Sequence, residues 1–265
     1  MRGIYPVKAA FPQKGHLRPS PLCERGEKGD CRQRIAMKIS PDLWEAAQDL
    51  RFLLNRGYPR DASLQLAGNR YNLDRDHRHL LRRGVFASSV VEQRRNKKVS
   101  LEEIRGKALA IDGYNCLITL ESALKAKAVL LSDDAFIRDI SGVSGGYKET
   151  QQTKQALGLI IDLLLTAGPA EILFLLDAPI SGSGELAARI RGLMKERELS
   201  GDALAVKVPE RMMAGYKGII ATSDTALIDQ SERVFDLAGH LIIEQLKIPY
   251  IDLNKKGDKD AASHR

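Results

Sequence analysis

Lys107-Ala108-Leu109-Ala110-Ile111-Asp112-Gly113-Tyr114-Asn115 reads as a short buried strand running straight into an acidic turn. Two later stretches repeat the pattern: Ile172 to Leu176 ends in Asp177-Ala178-Pro179, and Gly218 to Ala221 runs into Thr222-Ser223-Asp224-Thr225. Between them the apolar spacing switches to that of helices. Thr150 to Ala167 places Leu157, Ile160, Ile161, Leu164 and Leu165 on one side, Ser183 to Glu198 follows as a helix, and Ala203 to Val208 as a further strand. Such alternation predicts an α/β domain with a mainly parallel sheet over residues 107–250.

Working backwards, residues 92–106 are polar and read as a linker. Residues 38–91 read as a small helical domain. Ser40-Pro41-Asp42 supplies a capping hydroxyl, a proline for the first turn and an acid at the positive end of the dipole. Leu43, Ala47, Leu50 and Leu54 then recur at helical spacing, and Gly57 and Pro59 end the helix. A second helix, Asp61 to Ala67, is expected to stop at Gly68-Asn69. A third, Arg75 to Arg83, is capped by Asp74 and expected to close on a left-handed Gly84. The pair has a helix-turn-helix-like layout. Arg75, Arg78, Arg82 and Arg83 on its second helix can grip nucleic-acid phosphates or form a solvated face. Residues 1–37, rich in Pro and Gly, read as a flexible leader, and residues 251–265 as a polar tail.

The charge follows this division. Of a net charge of +7, residues 1–40 carry +6, residues 41–106 carry +4 and residues 107–265 carry −3. A basic front is the natural docking surface for a polyanion, so RNA or another nucleic acid is the expected partner. No apolar run approaches the roughly 20 residues of a membrane span. The three cysteines, Cys23, Cys31 and Cys116, fit neither a disulfide scaffold nor a zinc site. A soluble cytoplasmic protein is expected.

In an open parallel sheet, ligands bind beyond the carboxyl ends of the strands. Asp112, Asp177 and Asp224 delivered there would repel one another unless a cation intervened, and an all-oxygen set suits Mg²⁺ or Mn²⁺. Each acid alone reads as well as a helix cap. Asp229 joins the set only if its helix starts late. Asn115 can orient a ligand or close the Asp112 turn, and Ser181, in Ser181-Gly182-Ser183-Gly184 before a helix, can cradle a phosphate or mark a flexible helix start. Glu121, Asp133, Asp134 and Asp139 are further acids without a distinguishing spacing. There is no P-loop, no dinucleotide glycine fingerprint and no Gly-x-Ser-x-Gly elbow.

The Asp112-Gly113-Tyr114-Asn115 turn, with Leu176-Asp177 and Thr222-Ser223-Asp224, resembles the PIN/NYN-like nuclease superfamily over residues 107–240. The resemblance implies a PIN-like three-layer fold and metal-dependent RNA cleavage. It makes Asp112, Asp177 and Asp224 catalytic metal ligands, with Asp229 and Ser223 in the late element. The acid that the superfamily carries on the helix after the first strand has Glu121 as its nearest counterpart. Over about 40–245 the chain also resembles an archaeal family of unknown function that pairs a DUF434 region with a PIN-like part. That likeness runs through Asp49 to Pro59, Gly68 to Tyr71, Asp139 to Gly145 and Leu176 to Ser181, and it implies no activity. A ribonuclease with a basic docking front is therefore the leading expectation. A non-catalytic nucleic-acid-binding or regulatory protein on a degenerate fold is the alternative, and a small-phosphate hydrolase a third.

Overall fold

The computed structural model describes residues 39–140 and 147–255. The expected leader and most of the expected tail lie outside them, as does the stretch 141–146.

Four helices come first: α1 (Pro41–Asn55), α2 (Arg60–Arg70), α3 (Arg75–Gly84) and α4 (Ser88–Lys97). The caps behave as their chemistry dictates. Ser40 Oγ accepts from Leu43 N at 3.1 Å and Asp74 Oδ1 from His77 N at 2.8 Å. Two glycines do not act as the sequence suggests. The second helix runs on through Gly68 to Arg70, and the missing side chain makes room for Arg78: a Cβ here would meet its guanidinium at 2.3 Å. Gly84 stays inside α3 with negative φ rather than closing it left-handed, and a Cβ there would press on Leu130 at 2.8 Å. The expected polar linker is also different, since much of it belongs to α4.

The main sheet has five parallel strands in the order β5-β4-β1-β6-β7, namely Gly201–Val206, Glu171–Asp177, Ala108–Asp112, Ile219–Ala221 and Val234–Phe235. Alternate residues face opposite sides. Ile172, Phe174 and Leu176 pack with α5 (Gly113–Leu124), α6 (Gln151–Ala167) and α7 (Ser183–Glu196). Leu173 and Leu175 pack on the other face with α8 (Pro209–Ala214) and α9 (Thr225–Gln230). Helices therefore cover both faces, and β1 lies at the centre where the strand order reverses.

A second sheet holds β3 (Ile137–Asp139), β2 (Val129–Leu131) and β8 (Ile251–Asp252), in that order. It binds the helical region to the rest. Leu130, Ile251 and Leu253 share one core with Leu43, Leu50, Leu64, Leu80 and Leu81. The segment expected to begin a polar tail thus contributes a strand and a buried leucine.

Start of α5 and its distance from β4 decide where Asp112 sits. A Cβ on Gly113 would lie 2.5 Å from Leu176 Cδ2 and 2.9 Å from the Leu175 carbonyl oxygen. Backbone cannot yield as a flexible side chain does, so Gly113→Ala is expected to cost about 1–3 kcal/mol. At this chain length that lowers the melting midpoint by about 5 °C. An unchanged melt would show that the two elements can separate freely.

Candidate functional site

The carboxyl ends of β1, β4 and β6 meet at one edge of the sheet, beside the point where strand order reverses. Asp112 closes β1 and Asp177 closes β4, while Asp224 follows β6 after Thr222 and Ser223. The turn after β1 is tied to the turn after β6 by side chains. Thr222 Oγ1 donates to Asp112 Oδ2 at 2.8 Å. Asn115 Oδ1 accepts from Ser223 N at 2.9 Å and from Ser223 Oγ at 3.0 Å. Asn115 therefore closes two loops at once, which pins Asp224 relative to Asp112.

Asp112 is recessed yet keeps some exposure. Burial is the main reason its pKa is pushed up to about 7, and the neighbouring charges of Asp224 and Asp177 add to it. The Thr222 hydroxyl and the Asn115 backbone N–H pull it back down. Asp177 is raised as well, by burial and then by Glu210. Asp224 also caps α9, its Oδ1 accepting from Ala226 N at 2.9 Å and Leu227 N at 3.0 Å. The capping and the site readings of that residue are thus both compatible with its geometry. Tyr114 in the same turn was not marked by its sequence spacing. Its buried hydroxyl has no hydrogen-bond partner among the described residues and feels the charge of Asp177 and Glu149.

Other candidate residues are occupied elsewhere. Asp229 takes a two-pronged contact from Arg94, at 2.7 and 2.8 Å. Glu121 is buried and receives the hydroxyls of Tyr147 and Thr153 and the Lys125 ammonium. Ser181 is exposed in the turn before α7 and makes no side-chain hydrogen bond among the described residues. No three His, Cys, Asp or Glu side chains among the described residues are gathered as a ready-made metal cluster.

The arginines of α3 divide by role. Arg78 is fixed by the Leu73 carbonyl at 2.8 Å and Asn69 Oδ1 at 2.9 Å, and Arg82 pairs with Asp61 at 2.6 Å. Arg75, Arg78, Arg82 and His79 still line an open groove of about 650 Å³ between α2 and α3. Arg83 instead lines a second cavity with Asp224, and Arg82 and His79 border both.

Behind that cavity lies a buried charge network that sequence spacing does not reveal. Asp134 is fully buried between two guanidiniums: Arg138 reaches it at 2.6 and 2.9 Å, and Arg94 at 3.0 Å. Burial acts to raise the Asp134 carboxyl, but the two arginines outweigh it and hold it below the usual range. Arg138 Nε also donates to the Ser223 carbonyl at 2.8 Å, so the network positions the loop bearing Asp224. Next to it, Asp133 takes both prongs of Arg51 from α1 and the Phe86 backbone N–H. The guanidiniums of Arg60, Arg94 and Arg138 surround the Phe86 ring at 4.6, 4.5 and 5.4 Å.

Comparison with known proteins follows the same division. Residues 101–240 match the family described as domain of unknown function DUF5616, and residues 42–97 match the protein family of unknown function DUF434. The chain is 33% identical over 205 residues to an uncharacterized protein of Methanocaldococcus jannaschii, across 77% of this chain and 97% of that protein. No solved structure matches. No helix among the described residues is long and apolar enough to cross a membrane.

Proposed function

The chain belongs to the DUF5616 family, and on that premise we propose that it is a metal-dependent ribonuclease on a PIN-like fold, cutting RNA phosphodiesters at Asp112, Asp177 and Asp224. One observation carries the reading. Three carboxylates lie at the carboxyl ends of neighbouring strands, and the charges of the other two make Asp112 harder to ionise. Burial with like charges nearby is costly for a purely structural carboxylate and useful in a site that receives a cation.

The donor set fits Mg²⁺ or Mn²⁺. These oxygens are hard ligands, and Mg²⁺ is commonly held by one or two carboxylates with water and substrate phosphate completing the shell. A closed three-carboxylate cage is therefore not required. Asp112 and Asp177 would hold the ion, with Asp224 at its margin. When bound, such an ion polarises the phosphodiester and lowers the pKa of a water. The remaining work falls to the chain itself. Thr222 orients the Asp112 carboxylate, Asn115 fixes the Ser223-Asp224 loop, and Asp112 ionises more readily once positive charge stands beside it. The groove lined by Arg75, Arg78 and Arg82 supplies docking for the RNA backbone.

The alternative is a nucleic-acid-binding or regulatory protein on a degenerate form of the same fold. It is favoured by one feature: Glu121 and Asp229, which could have added acids, are held by Tyr147, Thr153, Lys125 and Arg94. The two readings part in a single assay. Purified protein is expected to cut labelled single-stranded or structured RNA with Mn²⁺ or Mg²⁺ and to stop when EDTA is added. RNA binding without cutting in either metal would leave the binding protein standing.

A further inference from the structure

Between the helical region and the loop after β6 lies a cavity of about 550 Å³. Leu54, Tyr58 and Val90 give it an apolar wall, and Arg60 and Arg83 line it together with Asp224. Arg82, Arg94 and Arg138 line it too, but these are balanced by Asp61, Asp134 and Asp229. Arg60 and Arg83 are not so balanced. Neither makes an ion pair among the described residues, and Arg83 Nε is buried there without a hydrogen-bond partner. Arg60 gives one N–H to the Arg82 carbonyl. Burial, then neighbouring guanidiniums, depress the proton affinity of both. Asp61 opposes this at Arg60, and Asp139 and Asp224 at Arg83, without reversing it. The cavity is thus lined by two guanidiniums without a carboxylate partner among the described residues, one of which keeps a buried donor unused.

We propose that this cavity binds a terminal phosphate of an RNA strand, with Arg60 and Arg83 as its ligands. The inference rests on the nuclease reading, because Asp224 borders both the cavity and the acidic site. A phosphomonoester carries about −1.5 to −2 at neutral pH, so it gains more than a diester from two guanidiniums that no carboxylate pairs with, while Asp224 at the border offsets part of their charge. An internal phosphodiester carries a single charge. Planar guanidiniums also suit the open oxygens of a terminal phosphate, which they can take two at a time. The volume is that of a small-molecule pocket. It has room for one nucleotide, its base against Tyr58 and Leu54, and not for a duplex. A strand held there by its end reaches the acidic site with its first nucleotides, so cutting would depend on the state of the end.

The test is binding without metal. Internally labelled single-stranded RNA of one sequence is titrated in EDTA with a 5′-phosphate, with a 3′-phosphate, or with hydroxyls at both ends. One phosphorylated form is expected to bind about tenfold tighter than the hydroxyl form at equal salt. Arg83→Gln is expected to erase that difference while leaving affinity for the hydroxyl form within about twofold, and Arg83→Lys to keep part of it. Equal affinity for all three RNAs overturns the proposal. So does an end preference that survives in both Arg83→Gln and Arg60→Gln. The nuclease reading is judged apart from this. An end preference without cutting in Mg²⁺ or Mn²⁺ supports the pocket and removes the nuclease, whereas cutting without an end preference does the reverse.

Discussion

Asp134→Ala is expected to lower the melting midpoint by about 10 °C at neutral pH. The substitution leaves Arg138, fully buried, with no carboxylate, and takes from Arg94 one of its two. Removing one partner of a buried ion pair costs about 3–5 kcal/mol, because the remaining charge stays out of water uncompensated. For a chain of this size each kcal/mol moves the midpoint by about 2–4 °C. The pH dependence has a definite sign. The Asp134 carboxyl is held below its ordinary value of 3.8 in the folded protein. Its contribution is therefore fully present above about pH 4 and is lost as pH falls through the depressed folded value. Asp134→Asn should lack that part of the acid slope. A melt within about 2 °C of wild type for Asp134→Ala would show that water reaches these arginines. The damage should also extend to the site, since Arg138 holds the Ser223 carbonyl.

Asp112→Asn should do the opposite: remove activity and spare the fold. Loss of cleavage by at least about 10³-fold, equivalent to about 4 kcal/mol of barrier, is expected for the central acid of the proposed site. Stability should not fall. The folded pKa of Asp112 is pushed up to about 7, above its ordinary 3.8. Folding then holds the proton more tightly than the unfolded chain does, so stability declines as pH rises between those two values. The amide carries no such penalty. Asp112→Asn should therefore melt above wild type at pH 8 and gain nothing at pH 4. Retained metal-dependent cleavage in both Asp112→Asn and Asp177→Asn would sink the ribonuclease reading.

Four strands of the central sheet were legible as apolar runs, three of them leading into acids, whereas β5 begins and ends two residues earlier than its run suggests and β7, with two residues, shows no pattern. Asp112, Asp177 and Asp224 could be marked for the same reason, and the structure sets their loops side by side. The strands of the second sheet are too short to show a period: Val129–Leu131, Ile137–Asp139 and Ile251–Asp252 have two or three residues each. Helix α4 was hidden because it is held by ion pairs rather than an apolar stripe, with Arg94 as its buried residue. Nothing local links Arg94 to Asp134 or Asp229, so a charge destined for the interior looks like any surface arginine. Gly68 and Gly84 misled for a related reason. Glycine can end a helix or admit a neighbour, and only the neighbour, Arg78 or Leu130, distinguishes the two.

The core shared by the four helices and the second sheet has a consequence for synthesis. The ribosome makes Leu43, Leu50 and Leu81 before any strand, yet Ile251 and Leu253, which cover them, emerge after the whole of the central sheet. The first-made layer must wait, partly uncovered, for one of the last segments of the described chain. A gene split between the two matched regions would give halves that each expose what the other was meant to cover.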